Sequence, residues 1–381
     1  MLSKRVYSIP KSKAAEGFKI AYENPDIISL GSGEPDFSPP KEVVEIINKL
    51  LRKGHTHYAP PLGVKELREA VSDKLRDQNN IEVEPDNVVI TCGSTEAIML
   101  SILTLVDPDD EVISTDPGYH VIGPTISVAD GIQKTIKIND GKKFEINPDD
   151  LRVAISQKTK LIYLNSPANP TGAVLTRNVL EELADIVVDK NLIMLSDEAY
   201  EKFIYDGKEH VSPASLNGME NYVITTQSFS KTFAMSGFRI GYVTASKEII
   251  EGIAKLKICS TLCTSSAFQL AAVEALKNCW NYVEKMREEY ERRRELIVKR
   301  LNEIQNIKSL KPEGAFYVFP NIKDTGMTSS EFTKKVLDEA KVLIFPGTEF
   351  GVNGEGYVRI SYATAYEKLK EAIDRIENVL T

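Results

Sequence analysis

Cysteine and histidine are scarce in this 381-residue chain, four of each, and neither falls into a metal-binding or redox spacing. Cys92, Cys259, Cys263 and Cys279 contain no CxxC pair, which excludes a structural zinc site and a thioredoxin-like centre, and they read as reduced, buried thiols. His55-Thr56-His57 is the closest histidine pair, and no further ligand stands at a suitable spacing, so no metal is expected. No stretch approaches the roughly 18 apolar residues that span a bilayer. The start, Met1-Leu2-Ser3-Lys4-Arg5-Val6, has no apolar signal core, so a cytoplasmic location is expected. Charge of one sign never accumulates: the net charge is −8 without long runs, which argues against nucleic acid and anionic membrane surfaces as partners. Arg292 to Arg294 is the most basic patch, but it lies among Glu289, Glu291 and Glu295 in a helical stretch and reads as a solvated helix face. Internal repeats, low-complexity tracts and Gly/Ser linkers are also missing, so domain limits must come from the pattern of elements.

What is present is alternation. The length favours two domains. Helical spacing of apolar residues covers Glu42 to Leu51 and Val64 to Leu75, while Val88 to Thr91, Glu111 to Ser114, Leu161 to Leu164, Leu192 to Leu195 and Tyr222 to Thr226 read as short strands. Strands and helices in turn predict an α/β fold with a mostly parallel sheet covered on both faces. From about Trp280 a long helix begins, marked by Val283, Met286, Tyr290, Ile297, Leu301 and Ile304, and it reads as a connector. Beyond it, strands at Gly314 to Phe319 and Tyr357 to Tyr362 and a helix at Ala365 to Leu380 suit a smaller α+β domain. The expected division is an arm over 1–14, a small domain over 15–40 and 285–381, and a large domain over 41–284.

In open parallel sheets, ligands bind outside the carboxyl ends of the strands. The strand ending at Thr91 runs through Cys92-Gly93-Ser94-Thr95 into a helix, which gathers free N–H groups and hydroxyls into a phosphate cradle. The strand ending at Ser114 leads to Asp116-Pro117-Gly118-Tyr119, which offers an aromatic face, and the strand ending at Leu164 leads to Asn169-Pro170. Asp197 stands at the mouth of the next strand, where it either caps a helix or keeps a pyridine nitrogen protonated. After Tyr222 to Thr226 comes Ser228-Phe229-Ser230-Lys231, with Arg239 eight residues beyond the lysine. Phe229, Phe233, Met235 and Phe238 make that setting apolar, and a desolvated lysine has a reactive amine. A lysine able to hold a carbonyl compound, beside groups that suit phosphate, points to pyridoxal phosphate.

Over nearly its whole length the chain resembles the class I/II aminotransferases, fold-type I pyridoxal-phosphate enzymes, and their aspartate aminotransferase-like branch in particular. The resemblance rests on Gly31-Ser32-Gly33-Glu34-Pro35-Asp36-Phe37, His57-Tyr58-Ala59-Pro60-Pro61-Leu62-Gly63, Asn169-Pro170-Thr171-Gly172, Ser196-Asp197-Glu198-Ala199-Tyr200, Ser228-Phe229-Ser230-Lys231 and Tyr357-Val358-Arg359-Ile360-Ser361-Tyr362. It implies a large domain with a mostly parallel, seven-stranded-type sheet. It also implies a transaminase with pyridoxal 5'-phosphate as cofactor, in which Lys231 forms the Schiff base and moves the proton. Asp197 would pair with the ring nitrogen, Asn169 and Tyr200 with the phenolic oxygen, and Tyr119 would stack on the ring. Ser94, Ser228 and Arg239 would hold the phosphate, with backbone near Gly93 and Thr95 and with Tyr58 from a second subunit, so a homodimer with shared sites is expected. Arg359, with Asn169 and the backbone at Gly33, would take the substrate α-carboxylate through a fork that lysine cannot reproduce.

The resemblance implies an L-amino acid donor, aspartate, aromatic or broad-range, and 2-oxoglutarate as acceptor. Some aspartate-specific relatives carry a lysine in the phosphate-loop segment where this chain has Thr95, which argues against strict aspartate specificity. Phe37, Tyr58, Tyr119 and Phe316 are candidates for an apolar side-chain pocket. The runner-up is a carbon–sulfur β-lyase or related elimination enzyme using the same residues. A cofactor-sensing domain on a winged-helix module is not favoured, because the segment before Gly31 is neither basic nor helix-turn-helix-like. Glycine-rich segments at Gly31 to Asp36 and around Gly314 and Gly347 suggest that the small domain closes over substrate.

Overall fold

The fold is seen in a computed structural model that describes residues 2–10 and 13–380. Its centre is a sheet of seven strands: β1 (Val88–Thr91), β2 (Glu111–Asp116), β3 (Ile132–Lys137), β4 (Thr159–Asn165), β5 (Ile193–Asp197), β6 (Val223–Ser228) and β7 (Gly241–Thr244). Their order across the sheet is β1-β7-β6-β5-β4-β2-β3. β7 is antiparallel to both its neighbours and the other pairs are parallel. The expected α/β architecture with a mostly parallel sheet is therefore present.

Period-two side-chain alternation explains why the interior strands are apolar on both faces. Val112, Leu161, Leu195, Ile224 and Val243 point into one layer with Ile98, Ile102 and Ile253 of the covering helices. Their neighbours Ile113, Ile162, Met194 and Val223 point the other way, against Leu180, Leu183 and Val187. The two strands that the apolar pattern does not reveal are β3, an edge strand whose exposed residues include Gln133 and Lys137, and the short, glycine-led β7. Edge strands need no second apolar face.

The second part of the chain is built on the helix Trp280–Glu303, which packs beside the last helix, Tyr366–Leu380. With them go β8 (Tyr317–Val318), β9 (Phe345–Pro346) and β10 (Val358–Ser361), an antiparallel sheet in the order β9-β10-β8. Ile28–Ser29 pairs in parallel with Val342–Leu343. Phe203 and Tyr205, which follow β5, are buried in the same core as Tyr290, Phe316 and Ile373. A buried carboxylate, Asp116 at the end of β2, accepts from the backbone N–H of Asn353 at 3.1 Å and its side chain at 3.0 Å. Gly118 N–H donates to Phe350 O at 2.8 Å beside it. Gly351 (φ +132°) passes so close that a Cβ would lie 2.0 Å from the Asp116 carboxylate.

Two expectations are corrected here. Arg293 and Arg294 are buried, not solvated: Arg293 pairs with Asp36 at 2.8 Å and Glu289 at 2.9 Å, and Arg294 with Asp206 at 2.8 Å and the Pro312 carbonyl at 2.9 Å. The partners Asp36 and Asp206 come from distant segments, so the local sequence showed only the glutamates. Of the four cysteines, all free, only Cys279 is buried, and Cys259 is exposed. Of the arm expected at 1–14, residues 1, 11 and 12 lie outside the described residues; Arg5 reaches Asp130 at 3.2 Å. Among the described residues, no helix is long and apolar enough to cross a membrane.

Candidate active site

At the carboxyl ends of β1, β2, β4, β5 and β6 opens a cavity of about 560 Å³, within the usual range for a small-ligand site. One end is polar and built from backbone. β1 gives way to Gly93, whose φ of +84° starts the helix Ser94–Leu105, so Ser94 and Thr95 present the first turn of that helix to the cavity. Arg239 donates to Ser236 O at 2.8 Å and Cys92 O at 3.1 Å, which lays its guanidinium over Gly93; a Cβ there would meet Nη2 at 2.5 Å. Ser228, at the end of β6, also lines this end and accepts from Ser230 N–H at 3.1 Å. Helix N–H groups, hydroxyls and a guanidinium around one space form an anion cradle.

The middle of the cavity holds the titratable groups. Asp197, at the end of β5, is 4% exposed. It accepts from the Tyr163 hydroxyl at 2.9 Å and from Ala199 N–H at 3.3 Å. Burial pushes its carboxyl up to about 6, against the pull of those two donors. Lys231, in the turn Phe229–Thr232 directly after β6, donates to the Gly33 carbonyl, and burial lowers its ammonium to about 8 while Glu34 opposes that shift. Tyr119 forms a wall, its phenol raised to about 12 by burial, and Tyr200 shares a 2.7 Å hydrogen bond with Tyr317.

At the far end, Arg359 on β10 is buried under three rings, with its guanidinium 4.6 Å from Tyr317, 4.8 Å from Phe350 and 5.3 Å from Phe345. It donates to Asn169 Oδ1 at 3.0 Å and to the Gly31 carbonyl, and its Nε finds no hydrogen-bond partner. Asn169 is held in turn by Asn165, whose Oδ1 accepts from the Asn169 N–H at 2.7 Å while its Nδ2 donates to Asp197 O at 3.0 Å. One asparagine thus fixes the loop after β4 to the end of β5.

The cavity gathers Gly33, Ser94, Thr95, Tyr119, Asn169, Asp197, Tyr200, Ser228, Lys231, Arg239 and Arg359, and Gly93 lies under Arg239. Tyr58 is not among them: it is 84% exposed. The apolar pocket drawn from Phe37 and Phe316 is corrected, since Phe316 is wholly buried in the second core and Phe37 packs edge-on to Tyr290 at 5.5 Å. Tyr317 and Phe345 line the cavity instead, with His120, whose ring burial and nearby Arg359 hold at about 4, hence neutral. Sequence reasoning also missed Tyr163, which read as strand interior, and Asn165, which read only as the first residue of the loop after that strand. Phe316-Tyr317 follows a predicted strand's alternation, which could have assigned the two rings to opposite faces.

Behind the Asp197–Tyr200 turn lies a buried polar network. Glu198 accepts from Ser196 at 2.8 Å, Ser212 at 2.7 Å and His210 at 2.8 Å, and Glu201 accepts from Lys74, Asn79 and Gln227. These bonds fix the turn from below.

The family Aminotransferase class I and II matches residues 25–376. The chain is 46% identical to the aspartate aminotransferase of Pyrococcus abyssi and 44% identical to the aromatic-amino-acid aminotransferase 2 of Thermococcus litoralis, in each case over 100% of this chain and 98% of the relative. The solved structure of Thermus thermophilus aspartate aminotransferase with maleate superposes with a TM-score of 0.96 at 36% identity, covering 100% of both chains.

Proposed function

The chain belongs to the class I and II aminotransferase family and is a transaminase, and from that premise we propose how its cavity works. We infer that the ligand is pyridoxal phosphate, because the donor set fits it: an anion cradle at one end, a buried carboxylate without an ion-pair partner in the middle, and a desolvated amine between them. Bound there, pyridoxal phosphate supplies an aldehyde that takes up an amino group and a protonated ring that withdraws electrons.

In this proposal the residues divide the work by position. Arg239, Ser94, Ser228 and the backbone at Gly93 and Thr95 hold the phosphate. Asp197 holds the proton on the ring nitrogen, and Tyr119 covers the ring. The Oδ1 of Asn169 is already taken by Arg359, so its amide N–H groups remain for the phenolic oxygen, beside the Tyr200 hydroxyl. Arg359 has N–H groups to spare for the substrate α-carboxylate, next to the backbone at Gly33. Lys231 is the covalent attachment point and then the base that moves the proton from the substrate Cα; burial has already brought its amine within reach of neutral pH. Fixing the carboxylate at Arg359 directs Lys231 to the Cα–H bond, which favours removal of the Cα proton over loss of the carboxylate.

For substrates we propose aspartate or aromatic donors with 2-oxoglutarate as acceptor, following the relatives' names and the Tyr119, Tyr317 and Phe345 walls. Tyr58, exposed on its own subunit, would complete the phosphate site of a partner in a homodimer. Residues 15–40 with 285–381 would close on 41–284 when substrate binds. The observation that carries the reading is the single cavity shared by Lys231, Asp197 and Arg359.

The test is to incubate the purified protein with pyridoxal phosphate, 2-oxoglutarate and one amino acid at a time, and to identify the products. Glutamate and the matching 2-oxo acid are expected. Pyruvate with free ammonia, and no glutamate, would overturn amino transfer in favour of elimination.

A further inference from the structure

Asp197 is a carboxylate that burial works against, and among the described residues no lysine, arginine or histidine forms an ion pair with it. Its ionisation therefore depends on hydrogen-bond donors. The backbone donor, Ala199 N–H, is long at 3.3 Å, and the Tyr163 hydroxyl is closer at 2.9 Å. Tyr163 stands on β4 opposite Leu195 on β5 in parallel register, and Asn165 stands opposite Asp197. Residues two apart share a face, so Tyr163 and Asp197 lie on the same side of the sheet, one step apart on adjacent strands. The tyrosine is 3% exposed, and burial raises its phenol well above the ordinary range, so it stays protonated and can only donate to the carboxylate. The other titratable groups facing Asp197 are Glu198 beside it, Lys231 from the turn after β6 and Tyr119 after β2.

We propose that Tyr163 is a positioning residue for Asp197: its hydroxyl orients the carboxylate and holds it in the charged form that a protonated ring nitrogen requires. The proposal rests on the reading that the cavity takes pyridoxal phosphate. A phenylalanine would fill the same space against Leu195, so Tyr163→Phe removes the donor and little else.

Two measurements test it. In the first, pyridoxal phosphate binding to the apoprotein is followed by equilibrium dialysis between pH 6 and 9 for the wild type, Tyr163→Phe, Asp197→Asn and the double variant. Tyr163→Phe is expected to bind roughly fivefold more weakly at pH 6, where a carboxyl moved up by about one further unit is mostly protonated, and to recover toward pH 9. In the Asp197→Asn background the same change should cost less than about twofold, as for sites that act only through each other. Equal losses in both backgrounds, or none beside Asp197, would overturn the proposal.

The second measurement needs no cofactor: the pH dependence of urea unfolding of the apoprotein. Asp197 has a folded-state value near 6 against an ordinary 3.8, so between those values the folded protein holds a proton that the unfolded chain has released. Its contribution to stability falls as pH rises through that window. In Tyr163→Phe the upper edge of the window should move up by about a pH unit, the size expected for a lost charged hydrogen bond. An unmoved edge would overturn the proposal, whereas failure of the wild type to bind pyridoxal phosphate would overturn the cofactor reading instead.

Discussion

Two lysines in this protein share one perturbation and differ in access. Burial brings both Lys231 and Lys74 from an ordinary 10.5 to about 8. Lys231 opens into the cavity, whereas Lys74 is closed off against Glu201 and Gln227 (2.6 Å). The neutral amine is the nucleophile, so in the apoprotein reductive alkylation by a small aldehyde should rise through about pH 8 at Lys231, some two units before exposed lysines, and should leave Lys74 unmodified. Peptide mapping after labelling at pH 7.5, 8.5 and 9.5 checks both claims; a tag at Lys74, or a Lys231 rate still climbing beyond pH 10, would contradict them. The Glu201 carboxyl is pushed up by burial, and Lys74 and Lys202 more than reverse that, holding it well below the usual range. The Lys74–Glu201 contact is thus an ion pair at neutral pH.

That ion pair joins elements: Lys74 belongs to the helix Lys65–Asn79 and Glu201 to the turn that follows β5. Removing one partner leaves a buried charge behind, so Lys74→Met or Glu201→Leu alone should cost about 3–5 kcal/mol in urea unfolding. The pair together should cost clearly less than the sum. Strict additivity would mean that the network does not couple helix to turn. Much of this scaffold was readable beforehand. Five strands are apolar on both faces and stand out as runs, and β1 was placed to the residue. β3 and β7 were not readable, because one is a polar edge and the other opens on glycine and carries only Tyr242 and Val243 as apolar residues. Among site residues, Asp197 ends a strand and Lys231 lies just after one, where ligand chemistry collects, whereas Arg359 stands inside β10 and was reached through the family resemblance. Tyr163 and Asn165 were hidden because their role depends on strand register, and register is a property of two segments at once. Arg293 and Arg294 misled for the same reason: their decisive partners are far away in sequence.

At the scale of the whole molecule, one chain supplies every group in the proposed mechanism except the hydroxyl assigned to Tyr58, which its own fold leaves 84% exposed. If a partner subunit uses it, sedimentation should show a dimer wherever the protein is active, and Tyr58→Phe should lower cofactor retention by roughly tenfold, one hydrogen bond to a charged phosphate. An active monomer would remove the shared site. The helix Trp280–Glu303 meanwhile clamps the molecule at two points, Arg293 to Asp36 near the start of the chain and Arg294 to Asp206 behind β5. Such pairs respond to heat unlike apolar packing, because the cost of stripping water from charge falls as temperature rises. A charge-removing substitution such as Arg294→Met should therefore look milder at room temperature than near the melting point, and the clamp is worth most when the protein is hot.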